Sequence, residues 1–254
     1  MKLGYPTHPR KPLLPEISWI ADQGFEFVDL FFEPDACDYH QIDVGAVRRL
    51  LTDRHLDCVG HTPWYLPIGS PQRDLRQAAV TTTGKYLNTF AETGCKRVTL
   101  HASWPSSMFT AAEGVEFQCE SLQQITAMAD PLGITILFEP VGVFQETVEN
   151  LKRILTQVPQ LAFHLDIGHF NLNHRSPAQT AETFADRLQH VHLHDNDGNR
   201  DLHLPMGTGN IDWADLVRRL KKVYDGTITL EIFSTDRDYV LLSRKKLLEL
   251  WNRA

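Results

Sequence analysis

Nine imidazole or carboxylate side chains fall at or just beyond the ends of short apolar runs: His61, His101, Glu139, Asp166, His169, His192, Asp201, His203 and Glu231. Such donors, with no thiolate among them, suit Zn²⁺, Mn²⁺, Co²⁺ or Fe²⁺. In FHLDIGHFNL, residues 163–172, Asp166 and His169 stand three positions apart straight after an apolar run. Further on, NDGNRDLHLPMGTGN carries Asp201 and His203 as a D-x-H pair. Residues two apart in an extended segment face one side, so this pair is expected to grip one ion together. The set exceeds what one ion needs.

Each residue also has an ordinary reading. A single His at a strand end often serves as a hydrogen-bonded structural group, Asp166 alone can cap a helix, and Glu139 before Pro140 can be a solvated carboxylate. Yet Glu139 and Glu231 close the apolar runs ITILFE and ITLE, with no Lys or Arg nearby in sequence. An unpaired charge there is costly, so a cation fits better. His194 shares the strand parity of His192 and reads either as a supporting group itself or as a neighbour of Asp195, which would then orient a ligand imidazole. His190 lies deeper in the same run, and His164 is expected to fill a layer of the interior. His40, His55 and His174 read as loop or surface residues, as does His8, which also ends the first strand and is within reach of a ligand.

The elements that must position these groups alternate along the whole chain. Eight strand-like runs are legible: KLGY (2–5), FEFVDLFF (25–32), LDCVGH (56–61), KRVTLHA (96–102), ITILFE (134–139), LAFHLD (161–166), LQHVHLHD (188–195) and GTITLEIF (226–233). On this reading His61, His101, Glu139 and Asp166 end the third to sixth runs, while His192 lies in the seventh and Glu231 in the eighth. Between the runs sit apolar residues at helical spacing, as in LLPEISWIADQG, VGAVRRLLTDRH, AETFADRL and WADLVRRLKKVY. Gly24, Gly94 and Gly133 each close such a stretch. Strand and helix repeated in this way predict parallel pairing with helices outside, and the length suits a single (β/α)₈ TIM barrel in the α/β class, with a doubly wound open sheet as the competitor. No linker or composition shift divides residues 1–254, so one domain is expected. Barrel chemistry belongs at the C-terminal ends of the strands, where these residues fall.

The 254 residues are 42% hydrophobic and 22% charged, as in an ordinary globular protein, and the net charge of -7 offers no global attraction to nucleic acid or to an anionic membrane. No apolar run approaches the roughly 20 residues of a membrane span, and MKLGYPTHPRKP lacks the apolar core of a signal peptide. A cytoplasmic protein without a membrane partner is expected. Cys37, Cys58, Cys95 and Cys119 form no CxxC pair and read as reduced filler.

The stretches VGHTPWYLPIG, TLHAS, ILFEP, HLDIGHFN, VHLHDNDG, DLHLPMGTGNIDW and TLEIF resemble the xylose isomerase-like TIM barrels, over nearly the whole chain. That superfamily includes sugar isomerases and epimerases and the endonuclease IV group of AP endonucleases. In the sugar-converting branch, the resemblance implies one metal held by Glu139, Asp166, His192 and Glu231. The two glutamates also move the proton, and His169 contacts substrate. An ion chelated by adjacent carbonyl and hydroxyl oxygens acidifies the carbon-bound proton, which one carboxylate removes and the other returns. In the endonuclease IV branch, the resemblance implies three zinc ions: His61, His101 and Glu139 at the first, Glu139, Asp166, His192 and Glu231 at the second, and His169, Asp201 and His203 at the third.

Departures from that second branch concern its contacts with DNA. Its members carry an arginine after the second strand, where this chain reads EPDACDYHQID, acidic and without Arg. WYLPIG after the third strand supplies Trp64, Tyr65 and Leu66, able to wedge into a duplex or to stack on a sugar ring. The loop after the seventh strand occurs, in close variants, in members known only as sugar phosphate isomerases or epimerases. The expectation is a metal-dependent sugar or sugar-phosphate isomerase or epimerase, with Glu139 and Glu231 as acid and base and Trp64, Tyr65, His8 and Arg200 touching substrate. The alternative is an AP endonuclease-type phosphodiesterase, the only reading under which DNA is a partner. Barrels of this family often pair, which makes a homodimer the expected assembly.

Overall fold

A computed structural model describes residues 1–34, 36–106 and 108–254, without the side chain of His174. The reading of an acidic second loop includes Asp35, which lies outside the described residues, as does the reading of His174 as a surface side chain. The elements are β1 (Lys2–Pro6), α1 (Leu13–Asp22), β2 (Phe27–Phe31), α2 (Val44–Asp53), β3 (Asp57–His61), α3 (Arg73–Thr93), β4 (Arg97–His101), α4 (Ala111–Ala129), β5 (Thr135–Glu139), α5 (Val148–Gln157), β6 (Ala162–Asp166), α6 (Pro177–Thr183), β7 (Leu188–Leu193), α7 (Trp213–Val223), β8 (Thr227–Leu230) and α8 (Asp238–Arg253). The strands run in chain order around one closed parallel barrel, and β1 pairs with β8. This is the (β/α)₈ fold. The chain divides into two compact units, an N-terminal one of Pro6–Ala162 and a C-terminal one of Phe163–Ala254 with Met1–Tyr5.

The strands bury both faces, so they read as continuous apolar runs rather than alternating ones: every residue of β2, β6 and β8 is buried. The helices bury one stripe. In α7 the buried residues are Trp213, Leu216, Val217 and Leu220, the spacing of one helical face, and Asp212 caps its start by accepting from the Asp215 N–H at 3.1 Å. Gly94 closes α3 at φ +101°, where a Cβ is strained, and Gly24 and Gly133 also take positive φ.

Most strands are trimmed by a residue or two relative to the sequence reading, and three differences matter most. β8 stops at Leu230, so Glu231 stands one residue beyond it, and β1 stops at Pro6, so His8 does not end that strand. The sixth helix starts earlier than AETFADRL, because Ser176 caps it through the Gln179 N–H and Pro177 fits its first turn. Among the described residues, no helix is long and apolar enough to cross a membrane.

Candidate functional site

Register decides which ligand-type residues meet. Within the N-terminal unit, β4 and β5 pair so that His101 lies directly beside Glu139. Within the C-terminal unit, β6 and β7 place Asp166 beside His192. Parallel neighbours stand about 4.8 Å apart, so side chains at matched strand ends converge.

In the N-terminal unit, His61 and His101 turn their Nε2 atoms toward one oxygen of Glu139, at 3.5 and 3.1 Å. All three side chains are buried, and the His61 ring is fixed by stacking on Phe31 at 4.0 Å. His61 Nδ1 lies 3.0 Å from the Thr62 carbonyl, which can only accept, so Nδ1 carries the proton. In a neutral ring Nε2 then presents a lone pair to a carboxylate oxygen. Only a shared proton or a cation reconciles two such electron pairs.

The C-terminal unit holds a larger group. His192 Nδ1 lies 3.1 Å from Glu231 and 3.9 Å from Asp166. Asp166 accepts the His169 N–H at 2.7 Å, so it does help to start the short turn that follows, and its same oxygen lies 3.1 Å from His194 Nε2. Asp201 gathers three imidazoles: His203 at 3.1 Å, and His169 and His194 at 3.4 Å each. His203 repeats the His61 arrangement, with Nδ1 donating to the Glu231 carbonyl at 3.1 Å and Nε2 facing Asp201.

These charges perturb one another. Burial pushes the Asp166 carboxyl up, but His169, His194 and His192 outweigh it and hold the group well below the usual carboxylate range. Burial acts on Asp201 in the same sense, and its hydrogen bonds to His169 and His203 reverse it, leaving that carboxyl low as well. Burial lowers the His203 imidazole, and Glu231 together with Asp201 overcome this and raise it to about 9. The lowered carboxyls reflect the imidazoles around them, and the raised His203 reflects the carboxylates around it.

The donor sets fit a divalent cation. An ion held at about 2.1 Å by each ligand spreads neighbouring donors about 3.0–3.4 Å apart. The N-terminal contacts are 3.1 and 3.5 Å, and those around Asp201 span 3.1–3.4 Å. Groups able to hold an ion include His61 with His101 and Glu139, Asp166 with His169 and His194, and His194 with Asp201 and His203.

Several roles differ from those read in the sequence. His194, expected as a supporting group, also lies in two groups that could hold an ion; its parity with His192 was the available signal. Among the described residues, the partners of Asp195 are not imidazoles. It accepts from the Trp213 indole and the Gly207 N–H, both at 2.8 Å, and so shapes the loop after β7. Asp201 and His203 do meet, but not through extended backbone: His203 takes φ +47°, a left-handed conformation uncommon for a residue with a Cβ. His190 lies between the Thr227 and Thr229 hydroxyls at 2.8 and 3.2 Å, and the buried His164 packs against His190 and His192.

The expected substrate contacts are spread more widely. Trp64 and Tyr65 follow β3, 62% and 49% exposed, with their rings edge to face at 5.7 Å and open to a ligand. His8 is exposed and accepts the Arg10 N–H, while Arg200 is exposed with its guanidinium forked onto Asp197 at 2.8 and 3.1 Å. His40 and His55 are exposed. Sequence reasoning missed Glu146, which is buried after β5, accepts the Val141, Gly142 and Val143 N–H groups, and binds the Trp104 indole at 2.9 Å.

Comparison with known proteins follows from this geometry. A family model described as a xylose isomerase-like TIM barrel matches residues 17–250. An uncharacterized protein of Methanocaldococcus jannaschii is 30% identical over 232 residues, 84% of this chain and 76% of that protein. An L-ribulose 3-epimerase of a Methylomonas species is 31% identical over 123 residues, which is 46% of this chain and 41% of that enzyme. Among solved structures, a D-tagatose 3-epimerase-like protein superposes with a TM-score of 0.88 at 25% identity, over 100% of this chain and 99% of that one. The chain belongs to the xylose isomerase-like TIM barrel family.

Proposed function

We propose that this protein is a divalent-metal-dependent epimerase or isomerase of a sugar or sugar phosphate, acting beside the carbonyl of a ketose. The observation that carries this reading is the pair of buried glutamates at strand ends: Glu139 just 3.1 Å from His101, and Glu231 just 3.1 Å from His192. Similarity to sugar 3-epimerases supports it. In the C-terminal unit, Asp166, His192 and Glu231 would hold the principal ion, with His169 touching substrate, and in the N-terminal unit Glu139 stands with His61 and His101. A divalent cation there supplies the charge that acidifies a C–H next to a carbonyl. Epimerisation then needs one group to take that proton and another to return it to the opposite face, the roles assigned to Glu139 and Glu231. Trp64 and Tyr65 offer aromatic surfaces for a sugar ring.

A phosphodiesterase reading is favoured by one observation, the cluster of His169, His194, Asp201 and His203, which goes beyond what one principal ion requires. The two are separated by parallel assays of protein loaded with Mn²⁺, Co²⁺ or Zn²⁺. On a ketose panel in D₂O, the sugar reading expects interconverted products carrying one solvent deuteron at the epimerised carbon. On a duplex with one abasic site, it expects no nick. Strand cleavage abolished by Glu139→Ala, without ketose conversion, would replace it with the phosphodiesterase.

A further inference from the structure

Cys58 and Cys95 are free thiols, and although far apart in sequence they stand side by side. Their sulfurs lie 3.1 Å apart, closer than two sulfurs pack without a hydrogen bond. The juxtaposition follows from β3 pairing with β4. Gly60 is the partner of Val98. Cys58 precedes Gly60 by two residues and Cys95 precedes Val98 by three, which puts them side by side at the N-terminal end of the strands, away from the metal-ligand ends. Both belong to the N-terminal unit. Cys95 is fully buried, and Cys58 is partly open to solvent.

We propose that Cys58 and Cys95 form an oxidisable dithiol, a modification site that a peroxide converts to a disulfide joining β3 to the start of β4. Accessibility assigns the order of events. The Cys58 thiolate attacks one peroxide oxygen, the O–O bond breaks, and Cys58 sulfenic acid forms as water leaves. The Cys95 sulfur then attacks the Cys58 sulfur, the S–S bond forms, the S–O bond breaks, and a second water departs with the Cys95 proton. Two thiols have lost two electrons, and the peroxide has been reduced to two waters. Cys95 follows rather than leads because it is buried and its S–H is directed at the Cys58 sulfur, so that it meets no peroxide first but stands against the sulfenic acid, whose departing hydroxyl takes the Cys95 proton. Cys37 and Cys119 do not compete, since burial pushes each up to about 11 and keeps it protonated. The bond would close a loop containing all of α3, a constraint that stabilises mainly by restricting the unfolded chain.

The test is intact-mass and peptide mapping of the full chain after hydrogen peroxide, with thiols blocked under denaturing conditions. The expected result is a loss of about 2 Da, the two thiol hydrogens, in a cross-linked peptide joining Cys58 to Cys95 and reversed by dithiothreitol. In Cys95→Ser the reaction is expected to stop at Cys58 sulfenic acid, trapped by dimedone. Stepwise oxygen addition to Cys58 in the native sequence without a cross-link, a cross-link to Cys37 or Cys119, or no mass change at all would each overturn the proposal.

Discussion

At the scale of the residue, backbone hydrogen bonds set the direction of the imidazole lone pairs. His61 and His203 each give Nδ1–H to a carbonyl and turn Nε2 to a carboxylate, an orientation that prepares a ligand. Glu231→Gln tests the proposed proton transfer most directly. The amide keeps the shape and an oxygen donor but cannot carry the proton, so ketose turnover is expected to fall about 10²–10⁴-fold with metal content retained. Turnover within tenfold of the parent would remove Glu231 from that role. His194→Ala is expected to weaken metal binding by about 10–100-fold in a competition titration, and to do so with the fold intact, because the imidazole serves two donor groups. Unchanged affinity would return His194 to the supporting role that the sequence suggested. Strand parity alone shows the face a side chain shares and not the carboxylates brought to it from β6 and from the loop beyond β7.

At the scale of the element, the turn after β6 is built against the His194 ring. A Cβ on Gly168 would stand 1.8 Å from His194 Cε1, far inside contact distance, although the backbone there is compatible with any residue. Gly168→Ala is therefore expected to displace His194 and reproduce most of the metal-binding loss of His194→Ala, while circular dichroism shows the helices unchanged. Metal affinity equal to the parent's would mean that the turn yields and the ring stays. The alternation of elements was legible because buried parallel strands are continuous apolar runs and the helices carry a single stripe. What was not legible was local. The start of α6 depends on a cap at Ser176 and Pro177 rather than on periodicity, and the meeting of Asp201 with His203 depends on one left-handed residue. The work of Asp195 is invisible to spacing, since its donors are Gly207 in the loop after β7 and Trp213 at the start of α7.

At the scale of the whole molecule, the closed barrel gathers strand ends, and with them carboxylates and imidazoles that the folded chain must hold together and the unfolded chain need not. A cation that binds this arrangement and not the unfolded chain stabilises the fold by mass action, with the sign fixed by that preference. At a free metal concentration about 100 times the dissociation constant, the gain is about 2.7 kcal/mol per site. For a chain of 254 residues this corresponds to a rise of about 5–10 °C in the unfolding midpoint. Stripping the protein with a chelator should lower the midpoint by that amount, and Mn²⁺ or Co²⁺ should restore it while Mg²⁺, which dehydrates reluctantly and prefers oxygen donors, restores less. The comparison of variants makes the measurement specific. Asp201→Ala with His203→Ala should abolish only the part of the rise due to an ion at that cluster, leaving the part due to any ion held elsewhere. If the double variant gains as much from metal as the parent, then the D-x-H pair holds no ion, its short contacts are hydrogen bonds alone, and the three-ion arrangement that would favour phosphodiester chemistry is absent.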